Sequence, residues 1–217
     1  AYSSDYWLAI GKVQSTGSLY SLVGSTDGKT WSEITIVSPT PFFDSTRFTP
    51  NGIAYGGGKW VLFGTNAVTP AQNIYYSTDN GVNWTVASIS APGFTIRAIR
   101  GYYNGSLWVA VGQGTRRLAW SPNGVIWINA TGDDFDGLGG TDVFYNGGLW
   151  VASGGGAGGP NKLLYSTDGK NWSAGTFSSS APHKVNSVTY GKLGPWVAGS
   201  GDTDPEYYYS SDGKTWA

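Results

Sequence analysis

The acidic side chains that could do chemistry gather in two stretches, Asp133, Asp134, Asp136 and Asp142 in one and Asp202, Asp204 and Glu206 in the other. Outside these and a set of repeated turns, only Asp5, Glu33 and Asp44 remain. A glycoside hydrolase needs two carboxylates on opposite walls of a cleft, one to protonate the leaving oxygen and one to act as base or nucleophile. Each acidic stretch is a single local run, so solvated loop charge is the stronger expectation and catalysis the weaker. The alternate spacing in Asp134-x-Asp136-Gly137 and Asp202-x-Asp204 suits calcium, a hard cation that takes oxygen ligands. Neither run continues into a complete calcium loop with its closing glutamate, and no other cofactor is indicated. His183 is the only histidine, which leaves no zinc site and no triad.

Aromatic rings are the second chemical signal. Phe42, Phe43, Phe48, Phe94 and Phe135 fall in segments that read as loops, and Trp120, Tyr207 and Tyr208 border them. Exposed rings stack on sugar faces or anchor protein interfaces, whereas the competing reading is packing between neighbouring structural units. Phe43, Arg47, Phe94, Trp120, Phe135 and Tyr207 are the candidate ligand-binding residues.

Whatever positions these groups must be built from short strands and tight turns. The chain has 217 residues with 34 glycines, 15% aromatics and only 12% charged side chains. Its net charge is -1, with eight lysines and five arginines scattered rather than striped, which gives no footprint for nucleic acid or anionic lipid. No apolar run is long enough to insert in a membrane as a helix. Cysteine is absent, which excludes disulfides and thiolate metal sites. Methionine is absent too, so residue 1 is expected either to follow processing or to lie within a longer polypeptide.

One segment recurs five times: Ser25-Thr-Asp27-Gly28-Lys-Thr-Trp31, Ser77-Thr-Asp79-Asn-Gly81-Val-Asn-Trp84, Ser121-Pro-Asn123-Gly124-Val-Ile-Trp127, Ser166-Thr-Asp168-Gly169-Lys-Asn-Trp172 and Ser210-Ser-Asp212-Gly213-Lys-Thr-Trp216. Their tryptophans are 53, 43, 45 and 44 residues apart. A second motif precedes each one, at Trp7-Leu-Ala-Ile-Gly11, Trp60-Val-Leu-Phe-Gly64, Trp108-Val-Ala-Val-Gly112, Trp150-Val-Ala-Ser-Gly154 and Trp196-Val-Ala-Gly-Ser. Ten of eleven tryptophans obey this period, and Trp120 stands outside it. A period of this length signals a repeat architecture. Each turn reads as a hairpin in which the Asp or Asn oxygen accepts backbone N–H groups, the glycine takes a positive φ and the tryptophan reaches back onto the sheet.

The repeated turns resemble the Asp-box (BNR) repeat, Ser-x-Asp-x-Gly-x-x-Trp; the copy at 77–84 has that spacing and the other four are one residue shorter. The resemblance implies an all-β, five-bladed β-propeller of four-stranded antiparallel blades with Asp-box hairpin turns. The blades fall at about 1–41, 42–91, 92–132, 133–178 and 179–217 of one domain. The chain stops where the fifth outer strand should begin, so the last blade is expected to be incomplete. Antiparallel alternation places the glycine turns and boxes on one face and the variable loops on the other. The boxes themselves read as structural, at Asp27, Trp31, Asp79, Trp84, Asn123, Trp127, Asp168, Trp172, Asp212 and Trp216. Innermost strands are expected at 99–103, 143–145 and 188–190, with Ile53, Ala98, Val143 and Val188 or their neighbours on the axis. Sialidases, the familiar Asp-box enzymes, carry an arginine triad, a tyrosine nucleophile and six blades; this chain lacks a Phe-Arg-Ile-Pro motif and is a blade short. The leading expectation is a non-enzymatic, lectin-like recognition module that binds a glycan or protein surface through the loop face. The alternative is a structural or adhesion domain of a phage tail, virion or bacterial surface protein, and a glycoside hydrolase comes third. Both leading readings place the protein outside the cell or on a virion or cell surface.

Overall fold

The computed structural model describes residues 1–12, 20–37, 48–66, 73–90, 97–135, 137, 139–156, 163–178, 184–192, 194–200 and 207–217. These residues form 22 strands and no helix, so none of them crosses a membrane as a helix. The second repeat shows the plan. An inner strand, Phe48–Gly56, pairs with Lys59–Asn66, which pairs with Ile74–Ser77, which pairs with the two-residue outer strand Thr85–Val86, all antiparallel. The same order returns in the third and fourth repeats, and the fifth repeats it as far as its short Thr215–Trp216 strand. In the first, Trp7–Lys12, Tyr20–Ser25 and Ser32–Glu33 occupy the second, third and outer places, and the inner place holds the Tyr2↔Trp7 bridge and the paired bonds of Ala1 with Leu8.

The second strand of each repeat reads as a continuous apolar run because both of its faces are covered. In Trp60-Val-Leu-Phe63, Trp60 and Leu62 pack with Leu8 and Leu22 of the first repeat, while Val61 and Phe63 pack with Trp108 and Ala110 of the third. Val109 and Val111 then meet Trp150 and Ala152, and Val151 meets Trp196 and Ala198. Among the described residues four apolar seams therefore join successive repeats, and the inner strands of the second to fifth repeats touch in sequence. Main-chain bonds latch the seams. The segment leaving each outer strand adds in parallel to the next repeat, at Ser88–Ile89 on Ile126–Asn129, Thr131–Gly132 on Asn171–Ala174 and Thr176–Phe177 on Thr215–Trp216. Among the described residues the first seam has one such bond, from the Val37 N–H to the Val82 carbonyl at 2.9 Å.

Several expectations need correction. Outer-strand pairing is only two residues long in the first four repeats, and the fifth already has one such pair, Tyr209 with Ala217, bonded both ways at 2.9 and 3.0 Å. Inner strands run further than expected, as Arg97–Tyr103, Gly140–Asn146 and Val185–Tyr190, because each contains a bulge near its start. Asp142 belongs to one of these strands rather than to an acidic loop. Ala98 is fully buried in a seam and does not line the axis, whereas Ile53, Val143 and Val188 do. Trp120 is not outside the period: it precedes the box serine, in the place held by Tyr76, Tyr165 and Tyr209 in other repeats.

Candidate functional site

The five repeated turns share one hydrogen-bond scheme. Each serine hydroxyl donates to the Asp or Asn oxygen at 2.8–3.2 Å and accepts from the glycine N–H at 2.8–3.0 Å. The same Asp or Asn oxygen accepts further backbone N–H groups, such as Lys170 and Asn171 at Asp168, both at 2.8 Å. Every glycine takes a positive φ, from 69° to 86°. Asp27 is held down to about 2 by the N–H groups of Thr30 and Lys29, with the Ser25 hydroxyl helping. At Asp168 burial works to raise the carboxyl, but the bonds from Asn171, Lys170 and Ser166 outweigh it and hold it far below the ordinary value. Each serine is buried, and the tryptophans Trp84, Trp127, Trp172 and Trp216 are at most 3% exposed. Trp84, Trp127 and Trp172 donate their indole N–H to the turn glycine carbonyl, whereas the buried Trp216 Nε1 has no partner; apart from that one group, bonding capacity is filled locally, which leaves little for a ligand.

The inner strands enclose a different environment. Each bulge inserts one extra residue, Asn51, Ile99, Thr141 or Asn186, and so bends the strand. Two of these residues tie neighbouring inner strands together: Asn51 Nδ2 donates to the Ala98 carbonyl at 3.0 Å and Thr141 Oγ1 to the Val185 carbonyl at 2.7 Å. The residues that follow the bulges, Gly52, Arg100, Asp142 and Ser187, come to one level in a funnel of about 530 Å³ lined by all five repeats. A space of this size is ordinary for a small-ligand site. Five tyrosines stand at a lower level, each against the tryptophan of its own repeat: Tyr2 on Trp7, Tyr55 on Trp60, Tyr103 on Trp108, Tyr145 on Trp150 and Tyr190 on Trp196, with ring centroids 4.2–5.2 Å apart.

Among the described residues that line the funnel, charged side chains enter at one point. Arg100 Nε lies 3.4 Å from Asp142 Oδ1, with the arginine side chain 57% exposed and the aspartate 18%. Asp142 also accepts the N–H of Val143 at 3.0 Å and that of Val188 at 3.3 Å. Burial pushes its carboxyl above the usual value, and Arg100 and these amides offset only part of that. The result is a half-open ion pair whose guanidinium still presents donors to the funnel, flanked by Tyr102 and Tyr103.

The residues singled out from sequence fare differently. Phe43, Arg47, Phe94, Asp136, Asp202 and Asp204 lie outside the described residues. Phe135, expected to be wet, is 1% exposed in the seam of the third and fourth repeats, because its segment folds inward over Val111 and Val143. Trp120 lies beside the box rather than on the loop face, and Lys170 of the next repeat sits 4.5 Å over its ring. Tyr207 is 66% exposed, yet it holds the strand position that Ile74, Leu118 and Leu163 fill in buried seams. Asp134 is paired with Arg117 at 3.5 Å, and among the described residues no three acidic or histidine side chains cluster to hold a metal. Asp133 accepts the Ala174 N–H at 2.8 Å and so braces the next sheet. Sequence reasoning missed Arg100 and the tyrosine ring, and it grouped Asp142 with an acidic loop rather than with the inner strand that carries it. A tyrosine five residues before the strand tryptophan, or six in the last repeat, was the available signal.

No family model matches the chain and no curated protein matches it. Solved structures do. YCF48 bound to D1 peptide is similar over 97% of this chain and 69% of its own, at 11% identity and a TM-score of 0.59. YjhT is similar over 97% and 78%, at 12% identity and a TM-score of 0.59. An exo-β-1,3-galactanase from Clostridium thermocellum is similar over 96% of this chain and 57% of its own, at 14% identity and a TM-score of 0.52. Identities this low speak for the fold alone: the chain is an all-β protein with a β-propeller-like arrangement of antiparallel sheets.

Proposed function

We propose that the chain is a single five-bladed propeller of Asp-box repeats, and that it works as a non-enzymatic, lectin-like recognition module whose ligand enters the axial funnel at Arg100 and Asp142. The observation that carries this reading is a break in the repeat. Where the other blades place Gly52 and Ser187, the third and fourth place a guanidinium and a carboxylate side by side, half-exposed between aromatic rings. Such a pair recognises adjacent hydroxyls, donating with one partner and accepting with the other, while tyrosine faces take the apolar face of a sugar ring. Among the described residues that line the funnel, Asp142 is the only carboxylate, which supports binding rather than two-carboxylate hydrolysis. The reading moves the site from the loop face to the axis. It keeps an extracellular, virion or cell-surface setting.

A second reading has its own support. YCF48, similar in fold, is bound to a peptide, and the same ion pair and rings suit a peptide chain. A glycan array probed with the purified chain decides between them. Binding to a defined glycan class, abolished by Arg100→Ala, supports the first reading. Silence across the array, with capture from a peptide library, supports the second.

A further inference from the structure

An asparagine followed by glycine can modify itself. The glycine nitrogen, after giving its proton to hydroxide, attacks the asparagine Cγ; Nδ2 leaves as ammonia, a five-membered succinimide remains, and water opens it to aspartate or isoaspartate. Glycine carries no Cβ to hinder the approach, and closing a ring between neighbours has the rate advantage of an intramolecular reaction. Five such pairs occur, beginning at Asn51, Asn80, Asn104, Asn123 and Asn146. Two conditions separate them: Cγ must face forward over the glycine peptide, and the glycine N–H must be open to solvent. Asn51 fails the first, because its Nδ2 is drawn to the Ala98 carbonyl at 3.0 Å and to Thr65 Oγ1 at 3.2 Å. Asn80 fails both, since its oxygen accepts the Trp60 indole N–H at 3.2 Å and the Gly81 N–H is buried on Ser77 Oγ at 3.0 Å. Asn123 meets the first condition: its Oδ1 accepts the N–H groups of Val125 and Ile126 at 2.9 and 3.0 Å, which turns Cγ over the intervening peptide. It fails the second, because the buried Gly124 N–H donates to Ser121 Oγ at 2.9 Å. The box serine thus guards the one box that carries an asparagine. Gly147 is exposed, but among the described residues no donor reaches the side-chain oxygen of Asn146.

Asn104 meets both conditions. It sits in the turn between the inner strand Arg97–Tyr103 and the second strand Trp108–Gln113 of the third repeat. Its Oδ1 accepts the N–H groups of Ser106 and Leu107 at 3.0 and 2.8 Å and the Ser106 hydroxyl at 3.1 Å. This is the three-donor arrangement of Asn123, with Ser106 standing where Ser121 does. The difference lies in the nucleophile: Gly105 is exposed, at a φ of 102°, and its N–H has no acceptor among the described residues. As the nitrogen adds to Cγ, negative charge develops on Oδ1, where three donors already point, and that stabilises the transition state. We propose that Asn104 is a self-modification site, converted through a succinimide to aspartate and isoaspartate in the folded protein ahead of the other four pairs. Conversion places a new negative charge beside Tyr103, a funnel residue whose hydroxyl donates to the Gly105 carbonyl at 2.7 Å. The isoaspartate product also lengthens the main chain of that turn by one methylene.

Tryptic mapping by mass spectrometry, after timed incubation of the folded chain at mildly alkaline pH, tests the assignment. The peptide 101–116 carries Asn104 and none of the other four pairs. It is expected to gain the one-dalton mass of deamidation first, and to become a substrate for an isoaspartate-specific methyltransferase. In urea, where local sequence alone sets the rates, the five pairs are expected to convert at similar speed. Ser106→Ala, in an exposed turn, removes one donor from Oδ1 and is expected to slow Asn104 about two- to tenfold, the worth of one hydrogen bond. Ser121→Ala frees the Gly124 N–H and is expected to raise conversion at Asn123, with circular dichroism confirming that both variants fold. Conversion of Asn123 or Asn146 ahead of Asn104 in the folded wild type would overturn the proposal. So would an Asn104 rate unchanged or raised in Ser106→Ala, or the same ranking of the five pairs in urea as in the folded chain.

Discussion

The repeated turns and the axial funnel both contain carboxylates, exposed in the turns and half-buried in the funnel, and the two sets behave in opposite ways. In the turns the Asp oxygens collect hydrogen bonds from residues two to four positions away, and Asp27 falls to about 2. In the funnel Asp142 takes its ion-pair partner from the blade before it and an amide from the blade after it, and burial still leaves its carboxyl raised. A charge that is satisfied within its own turn closes a hairpin and recurs in four of the five turns, with the neutral Asn123 in the other. A charge that depends on neighbouring blades, remains partly solvated and occurs once is free to exchange part of its bonding for a ligand. Repetition marks the scaffold, and departure from repetition marks the proposed site.

The strongest way to break this comparison is to remove a scaffold ring. Trp172→Ala is expected to cost about 3–5 kcal/mol in chemical denaturation, because the ring is 2% exposed in a seam. Trp31→Ala, at 40% exposure, is expected to cost about 0.5 kcal/mol. Equal losses would mean that the first blade is buried in solution. Next in size is Ser166→Ala, which strands the buried Gly169 N–H that now bonds the hydroxyl at 2.9 Å and is expected to cost about 1–3 kcal/mol.

Acid sharpens the same contrast. The box carboxylates titrate lower in the folded chain than the ordinary 3.8, so their stabilisation is complete above that pH and is lost as pH falls toward about 2. Asp142 has the opposite sign: its raised carboxyl favours the folded state below pH 3.8 and loses that contribution as pH rises through its folded value. Denaturation midpoints followed against pH are therefore expected to show a shallower acid loss in Asp168→Asn and a gain on the high-pH side in Asp142→Asn. Identical slopes in both variants and the wild type would contradict the assignment. The smallest stability effect belongs to Arg100→Ala, about 0–1 kcal/mol, since its side chain is 57% exposed.

Much of the scaffold was legible because its signals are local and repeat. A serine, an Asx oxygen and a positive-φ glycine define a turn within a few residues, and Trp-Val-Ala runs betray strands covered on both faces. Trp120 was misread because the period was tracked by residue type rather than strand position; its tyrosine counterparts hold the same place. Phe135 was misread because a polar, glycine-rich segment hides the fact that its one large ring turns inward. Arg100 and Asp142 lie 42 residues apart in sequence, and only the bulges bring them level. No local pattern announces a bulge, so the funnel had to come from the structure.

The central claim is that the ion pair on the axis, and not the repeated turns, carries recognition. Titration calorimetry of the wild type and of Arg100→Ala, against the best ligand from the glycan array, addresses it most directly. The account predicts a loss of affinity of tenfold or more, about 1.4 kcal/mol or above, with a stability change of no more than about 1 kcal/mol. Equal affinity in the two proteins would contradict it and return the site to the loop face.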